Sequence, residues 1–367
     1  MAQTDFLKKG TFEGAGSVTL SNGALEMTIL NQGATLANLS MVDDPGKLSP
    51  LWNPMRMAKE LGNPGTFNGT AGHFVCVDGF GPVSPQERAA GLPGHGEAHL
   101  QMFEQRSAGK QAGAAAITMA ATLPIVQEVF TRTFRMVDGE SVIYVESQLE
   151  NLLGFDRPIN WAEHATIGSP FLESGVTVVD ISGSRSQTRP VPEANTRRLD
   201  GGKDFTWPMA PAVDGKTVDL RAAPFDPHYV DHSTTLLDPS RKLAWVTALH
   251  PGKRLIFGYL FKREEYPWIQ YWGNYPATGK FARGMEFGTQ PYDVPRREAI
   301  GLGSMFDTPT YRWLPAKSKI ESRFLLFYAR VPEGFGKVDD VRLENGRIVI
   351  EDRGAKKQVT LAASLGL

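Results

Sequence analysis

Cysteine is almost missing from this sequence. Cys76 stands alone among 367 residues, which excludes an intramolecular disulfide and any multi-cysteine zinc site. It lies in an apolar run, HFVCV, where a buried, inert thiol is expected rather than a nucleophile. Long hydrophobic runs are missing too. No stretch of about 18 apolar residues occurs, so no transmembrane helix is expected. Neither sign of charge is in surplus: 39 Lys and Arg face 40 Asp and Glu, for a formal net charge of -1. The basic residues are spread along the chain, which removes the electrostatic basis for binding nucleic acid or an anionic membrane. The sequence also has no Gly-x-Ser-x-Gly, no P-loop and no Gly-x-Gly-x-x-Gly opening a helix. That argues against serine hydrolases, nucleotide hydrolases and Rossmann enzymes. The opening MAQTDFLKKG lacks the apolar core of a signal peptide and reads as cytoplasmic; a periplasmic or secreted protein with its signal removed is the alternative.

What is present is β-structure. A hydrophobic content of 41% with 22% charged residues is that of a folded chain with a substantial core. Gly 38 and Pro 25 punctuate it, and helical periodicity is confined to Pro54–Leu61 and Pro85–Ala90. Strand-like runs recur at Leu25–Leu30, Ser141–Leu149, Val176–Ile181, Leu243–Leu249, Leu255–Phe261, Phe324–Arg330 and Arg347–Glu351. In SVIYVESQLE, Ile143, Val145 and Leu149 share one face while Glu146, Gln148 and Glu150 share the other, the pattern of a half-buried antiparallel strand. Turn signals separate the runs, and Asn345-Gly346 between VRLE and RIVIED reads as a tight hairpin. No repeat or linker divides the chain. Residues 1–367 are therefore expected to form one all-β domain of two stacked sheets. The loop-rich stretches Leu48–Gly96 and Arg185–Tyr229 are where a cleft is expected.

A few polar residues sit in unusual company. Glu286, between Met285 and Phe287 in MEFGTQPYD, is an acid inside an apolar run. If it points inward it must be hydrogen-bonded or shifted in pKa, as a general base in a pocket often is. His164 in NWAEHATIGSPFL is either a tuned acid or a core histidine satisfied by backbone. His95 lies in GLPGHGEAHL between glycines that let the backbone approach a ligand. His99 follows at a metal-like spacing, but the Pro/Gly context argues against the helix that would align the pair, so no metal is expected. Asp231 and His232 in HYVDHSTTLLD form another polar cluster, with a strand-end turn as the plainer reading for Asp231. Trp268, Tyr271 and Trp272 suit either a sugar face or the core.

In order along the chain, these segments resemble the aldose 1-epimerase (galactose mutarotase) family. SNGALEMTILNQGATLANL is similar to its opening strands, LPGHGEA to its Leu-His-Gly-Gly segment, and NWAEHATIG to the segment carrying its catalytic histidine. YVDH is similar to its Asp-His segment, WIQYWGNY to its Gln-x-Tyr-Thr-Gly-Asn segment, and MEFGTQPYD to its Leu-Glu-x-x-Gln-x-x-Pro-Asp segment, which carries the catalytic Glu. The likeness is collinear from about Asn22 to Arg330. The family's Asn-Arg pair upstream of the first histidine is absent from FVCVDGFGPVSPQERAAGLPGHG, where Arg88 is the candidate substitute.

The resemblance implies a galactose mutarotase-like antiparallel supersandwich that interconverts the α and β anomers of a free aldose. Glu286 would be the base at the C1 hydroxyl and His164 the acid at the ring oxygen, in opposite protonation states. His95, Asp231, Trp272 and Arg88 would contact the sugar. No metal or organic cofactor is required, and the partner is a small sugar (a hexose or a glycan end) met by a monomer or weak dimer. Two other readings remain: a sugar-binding protein without turnover, and a polysaccharide lyase or hydrolase relative using Tyr271, Tyr292 or Asp293 beside Glu286.

Overall fold

The Asn345-Gly346 turn closes as its residues require. Both adopt positive φ, 50° and 70°, and Glu344 pairs directly with Arg347. The computed structural model, which describes residues 6–190, 198–226 and 228–367, extends such antiparallel pairing throughout. A twelve-stranded sheet runs from Leu7–Phe12 through His73–Val77, Trp161–Gly168, Trp268–Tyr275 and Tyr229–Leu237 to Asp204–Thr206. An eight-stranded sheet runs from Val178–Ile181 through Leu255–Lys262, Lys319–Arg330 and Val142–Asn151 to Glu104–Gln111.

The two sheets stack on a shared core. Val75, Ile167 and Phe287 from the first meet Phe134, Phe261 and Phe324 from the second. Phe261 and Phe287 stack at 4.2 Å between centroids. A third sheet, Asp340–Glu344, Arg347–Asp352 and Lys357–Ala362, covers the other face of the eight-stranded one, where Ile348 and Ile350 join Tyr144, Trp245 and Phe327. This cover changes one expectation. Val142 and Tyr144 are buried on the face expected to be wet, and the strand alternates only toward its end.

Helices are few. Pro54–Glu60 begins at Asn53, whose side chain accepts from Arg56 N, and Pro85–Ala89 carries a Ser84/Glu87 capping box. A third helix, Arg296–Leu302, escapes the sequence pattern because only Ala299 of its seven residues is buried, which leaves no apolar stripe. The two loop-rich stretches hold more strand than expected. The first contains His73–Val77; the second contains Gly183–Thr188, Met209–Pro211 and Thr217–Asp219, with residues 191–197 and 227 outside the described ones. Among the described residues no helix is long and apolar enough to cross a membrane.

Candidate active site

Strand parity places the reactive groups. Along Trp161–Gly168 the odd residues turn toward the eight-stranded sheet, as Trp161, Ala165 and Ile167 in the core show, so His164 faces the opposite side. Glu286–Gly288 and Ala282–Gly284 pair with the same strand, Glu163 opposite Phe287 and Thr166 opposite Gly284. Continuing that register sets Glu286 directly across from His164. The two are thus cross-strand neighbours, with His164 Nε2 3.3 Å from Glu286 Oε1. Glu286 lies back over Gly284, where a Cβ would stand 2.1 Å from its Oε1, so a side chain here would displace the Glu286 carboxyl.

Around the pair is a cavity of about 250 Å³, walled by Trp52, Thr70, Phe74, His95, His232, Trp272 and Asp293. His164 stacks on Phe74 at 4.1 Å and meets His95 edge-on at 5.3 Å. Trp52 and Trp272 stand at 71° to one another, 6.1 Å apart. Loops bring in the remaining walls. Trp52 N donates to Thr166 O and its carbonyl accepts from Gly72 N, tying the Trp52 loop to the His164 strand. His95, in the left-handed region at φ 64°, is held twice by Gly81: its own N–H donates to Gly81 O, and its Nδ1 accepts from Gly81 N at 3.2 Å. Its Nε2 therefore carries the proton and is a donor. Gly81 also passes within contact of the Asp293 backbone, where a Cβ would sit 2.5 Å from the carbonyl carbon.

Burial controls the charges. Glu286 is 3% exposed, and desolvation pushes its carboxyl well above the usual range; the nearby Asp293 charge adds to this and Arg189 opposes it. Desolvation pushes the His164 imidazole well below its usual range. His95 is pushed down to about 4 by burial, His99 to about 4, and His232 to about 3 by burial and then Arg189. His164 Nδ1 lies 3.0 Å from Thr166 Oγ1. With Nδ1–H donating to Thr166, Nε2 is left with a lone pair that faces Glu286. Burial thus favours the neutral form of both groups, whereas the resemblance implies a carboxylate facing an imidazolium. Glu286 Oε1 has no aligned hydrogen-bond partner among the described residues, which leaves it open to a ligand.

Glu286, His164, His95 and Trp272 thus converge on one cavity; Asp231 and Arg88 do not. Asp231 points to the core side of its strand, 1% exposed, and accepts from Arg198 Nε at 2.5 Å. His232, the next residue, takes the cavity face opposite Trp272. Arg88 is exposed in the last turn of its short helix. Arg189 is the arginine near the site, donating to Asp293 Oδ2 at 3.2 Å and to its carbonyl at 3.0 Å. Sequence reasoning also missed Trp52, Thr70 and Phe74. Only Phe74 had a signal, as the residue that strand pairing sets opposite His164.

The architecture is an antiparallel supersandwich, and its fold is galactose mutarotase-like. Solved structures agree. The chain is similar to a provisionally assigned aldose 1-epimerase from Klebsiella pneumoniae, with 15% identity, 86% of this chain and 80% of that one covered, and a TM-score of 0.61. It is equally similar to a galactose mutarotase-like protein from Clostridium acetobutylicum (12% identity, 88% and 98% covered, TM-score 0.61). A galactose mutarotase related enzyme from Lactobacillus acidophilus follows at 13% identity, 89% and 100% covered, and TM-score 0.57. No protein-family model matches the sequence, and a search of curated proteins finds no relative.

Proposed function

We propose that the protein is an aldose 1-epimerase that opens and recloses the ring of a free sugar. The observation that carries this reading is the His164–Glu286 pair, 3.3 Å apart, on the floor of a cavity walled by two tryptophans. The cavity holds the liquid volume of about eight waters, which suits one sugar ring rather than a chain. Epimerisation asks for a proton taken from the C1 hydroxyl and another given to the ring oxygen, then the reverse after rotation about C1–C2. As carboxylate, Glu286 takes the first while protonated His164 gives the second. His95 Nε2–H donates to a hydroxyl, and Trp52 and Trp272 face the ring's C–H surface.

A lyase or hydrolase of the kind considered above would need a tyrosine or a second carboxylate beside Glu286; Asp293 lines the same cavity but is engaged by Arg189. Tyr271 lies in the core, hydrogen-bonded to Tyr275, and Tyr292 donates to Gln187. Polarimetry on fresh α-glucose and α-galactose tests the proposal. Wild type is expected to accelerate mutarotation, with Glu286→Gln and His164→Ala each slower by roughly a hundred- to ten-thousand-fold. Sugar binding by calorimetry without acceleration on either aldose would replace turnover with binding.

A further inference from the structure

A second cleft, of about 750 Å³, lies at the far end of the strand that carries His232. Leu236 lines it, four residues from His232 on the same face, or about 13 Å along extended chain. Trp268 and Gln270, both buried, occupy that face of the neighbouring strand between the two sites, which share no lining residue. A further cleft of about 420 Å³ adjoins the second one, and Arg263 and Thr308 line both. Arg263 therefore stands at the middle of a groove leading from Trp207 to Tyr311.

Three features mark the groove as built to hold something. Arg263 Nη2 and Trp245 Nε1, from two of its lining residues, are buried donors with no hydrogen-bond partner among the described residues. Buried donors are nearly always paired, so two in one wall leave a demand for acceptors. Second, a two-residue hairpin tip carries Phe306 and Asp307 at φ 51° and 59°, a conformation that side chains larger than glycine or asparagine seldom adopt. It holds the Phe306 ring in the groove, 4.1 Å from the Arg185 guanidinium. Third, the charges balance in the larger cleft. Arg185, Arg221, Arg241 and Arg263 are met by Asp180, Asp238, Asp307 and Asp339, and Arg221 and Arg241 are already paired with Asp219 and Asp340.

Balanced charge disfavours a polyanion, whereas mixed donors and acceptors beside aromatic faces suit a neutral polyhydroxyl chain. We propose that this groove binds a neutral linear oligosaccharide. Trp207, Phe306 and Tyr311 take the C–H faces of its rings, and Arg263 donates to its hydroxyls. The groove acts independently of turnover at Glu286.

Calorimetry with linear hexasaccharides of glucose, mannose and galactose tests this, with inorganic sulfate as the anionic probe. At least one hexasaccharide is expected to bind wild type and Glu286→Gln alike. Arg263→Ala and Phe306→Ala should each weaken that binding roughly tenfold or more, with melting midpoints near wild type showing that the fold is kept. Failure of all three hexasaccharides at millimolar concentration overturns the proposal. So does binding that survives both substitutions, or sulfate binding that Arg263→Ala abolishes while the sugars do not bind.

Discussion

His232 is held neutral in a place where an unfolded chain would leave it free to take a proton. Burial and Arg189 push it from an ordinary 6.5 down to about 3. Because the folded form resists a proton that the unfolded chain accepts, the stability tied to this residue is complete above pH 6.5 and drains away as pH falls toward 3. The cost of His232→Gln, measured as the difference in urea unfolding free energy from wild type, should therefore shrink between pH 7 and pH 5 by roughly 2 kcal/mol. A difference that stays constant over that range would mean that the imidazole titrates normally. The same physics acts on the His164–Glu286 pair, where burial disfavours charge on both partners.

At the scale of elements, a residue's chemistry depends on which side of a strand it falls. Glu286 was legible in the sequence as an acid among apolar neighbours, and His164 as a histidine leaving a strand. Asp231 and His232 were legible only as a cluster, because which of the two faces the cavity is decided by pairing with the Trp272 strand. Parity also explains Glu163 and His164: adjacent in sequence, they must face opposite sides of the sheet. Trp52 and Thr70 left no trace, since loop residues carry no periodicity, and Arg88 was misjudged because nearness in sequence does not bring a side chain to the cavity. The sandwich itself was readable from alternation and turns, whereas the cover supplied by the C-terminal sheet was not. Ile350, fully buried beneath that sheet, gives a test at this scale. Ile350→Ala is expected to lower stability by about 2–5 kcal/mol in urea titration, while the mutarotation rate of the folded protein stays at the wild-type level.

Across the whole molecule, the two large sheets are pinned by an ionic knot behind the His164–Glu286 cavity. Glu163, fully buried, accepts from Arg132 Nη2 at 2.5 Å, Trp161 Nε1 at 3.1 Å and Tyr266 OH at 3.3 Å, and meets His73 Nε2 at 2.8 Å. Arg132 belongs to the eight-stranded sheet, and Glu163 and His73 to the twelve-stranded one. Opposite charge and hydrogen bonds hold the Glu163 carboxyl below its usual range against the pull of burial, with Arg132 the leading partner. Arg132→Met strands that charge and should cost about 3–5 kcal/mol. Adding Glu163→Gln should recover part of the loss, so that the double variant is more stable than the sum of the singles allows. Strict additivity in chemical denaturation would sink this account.

The cross-strand setting of His164 and Glu286 separates two tasks that many enzymes entangle. On the proposed reading, proton transfer would belong to the strand ladder, together with the Trp272 wall, while Trp52, His95 and Asp293, which would read the sugar's other groups, arrive on loops. If that function holds, exchanging those loops would change which sugar is accepted without moving His164 and Glu286.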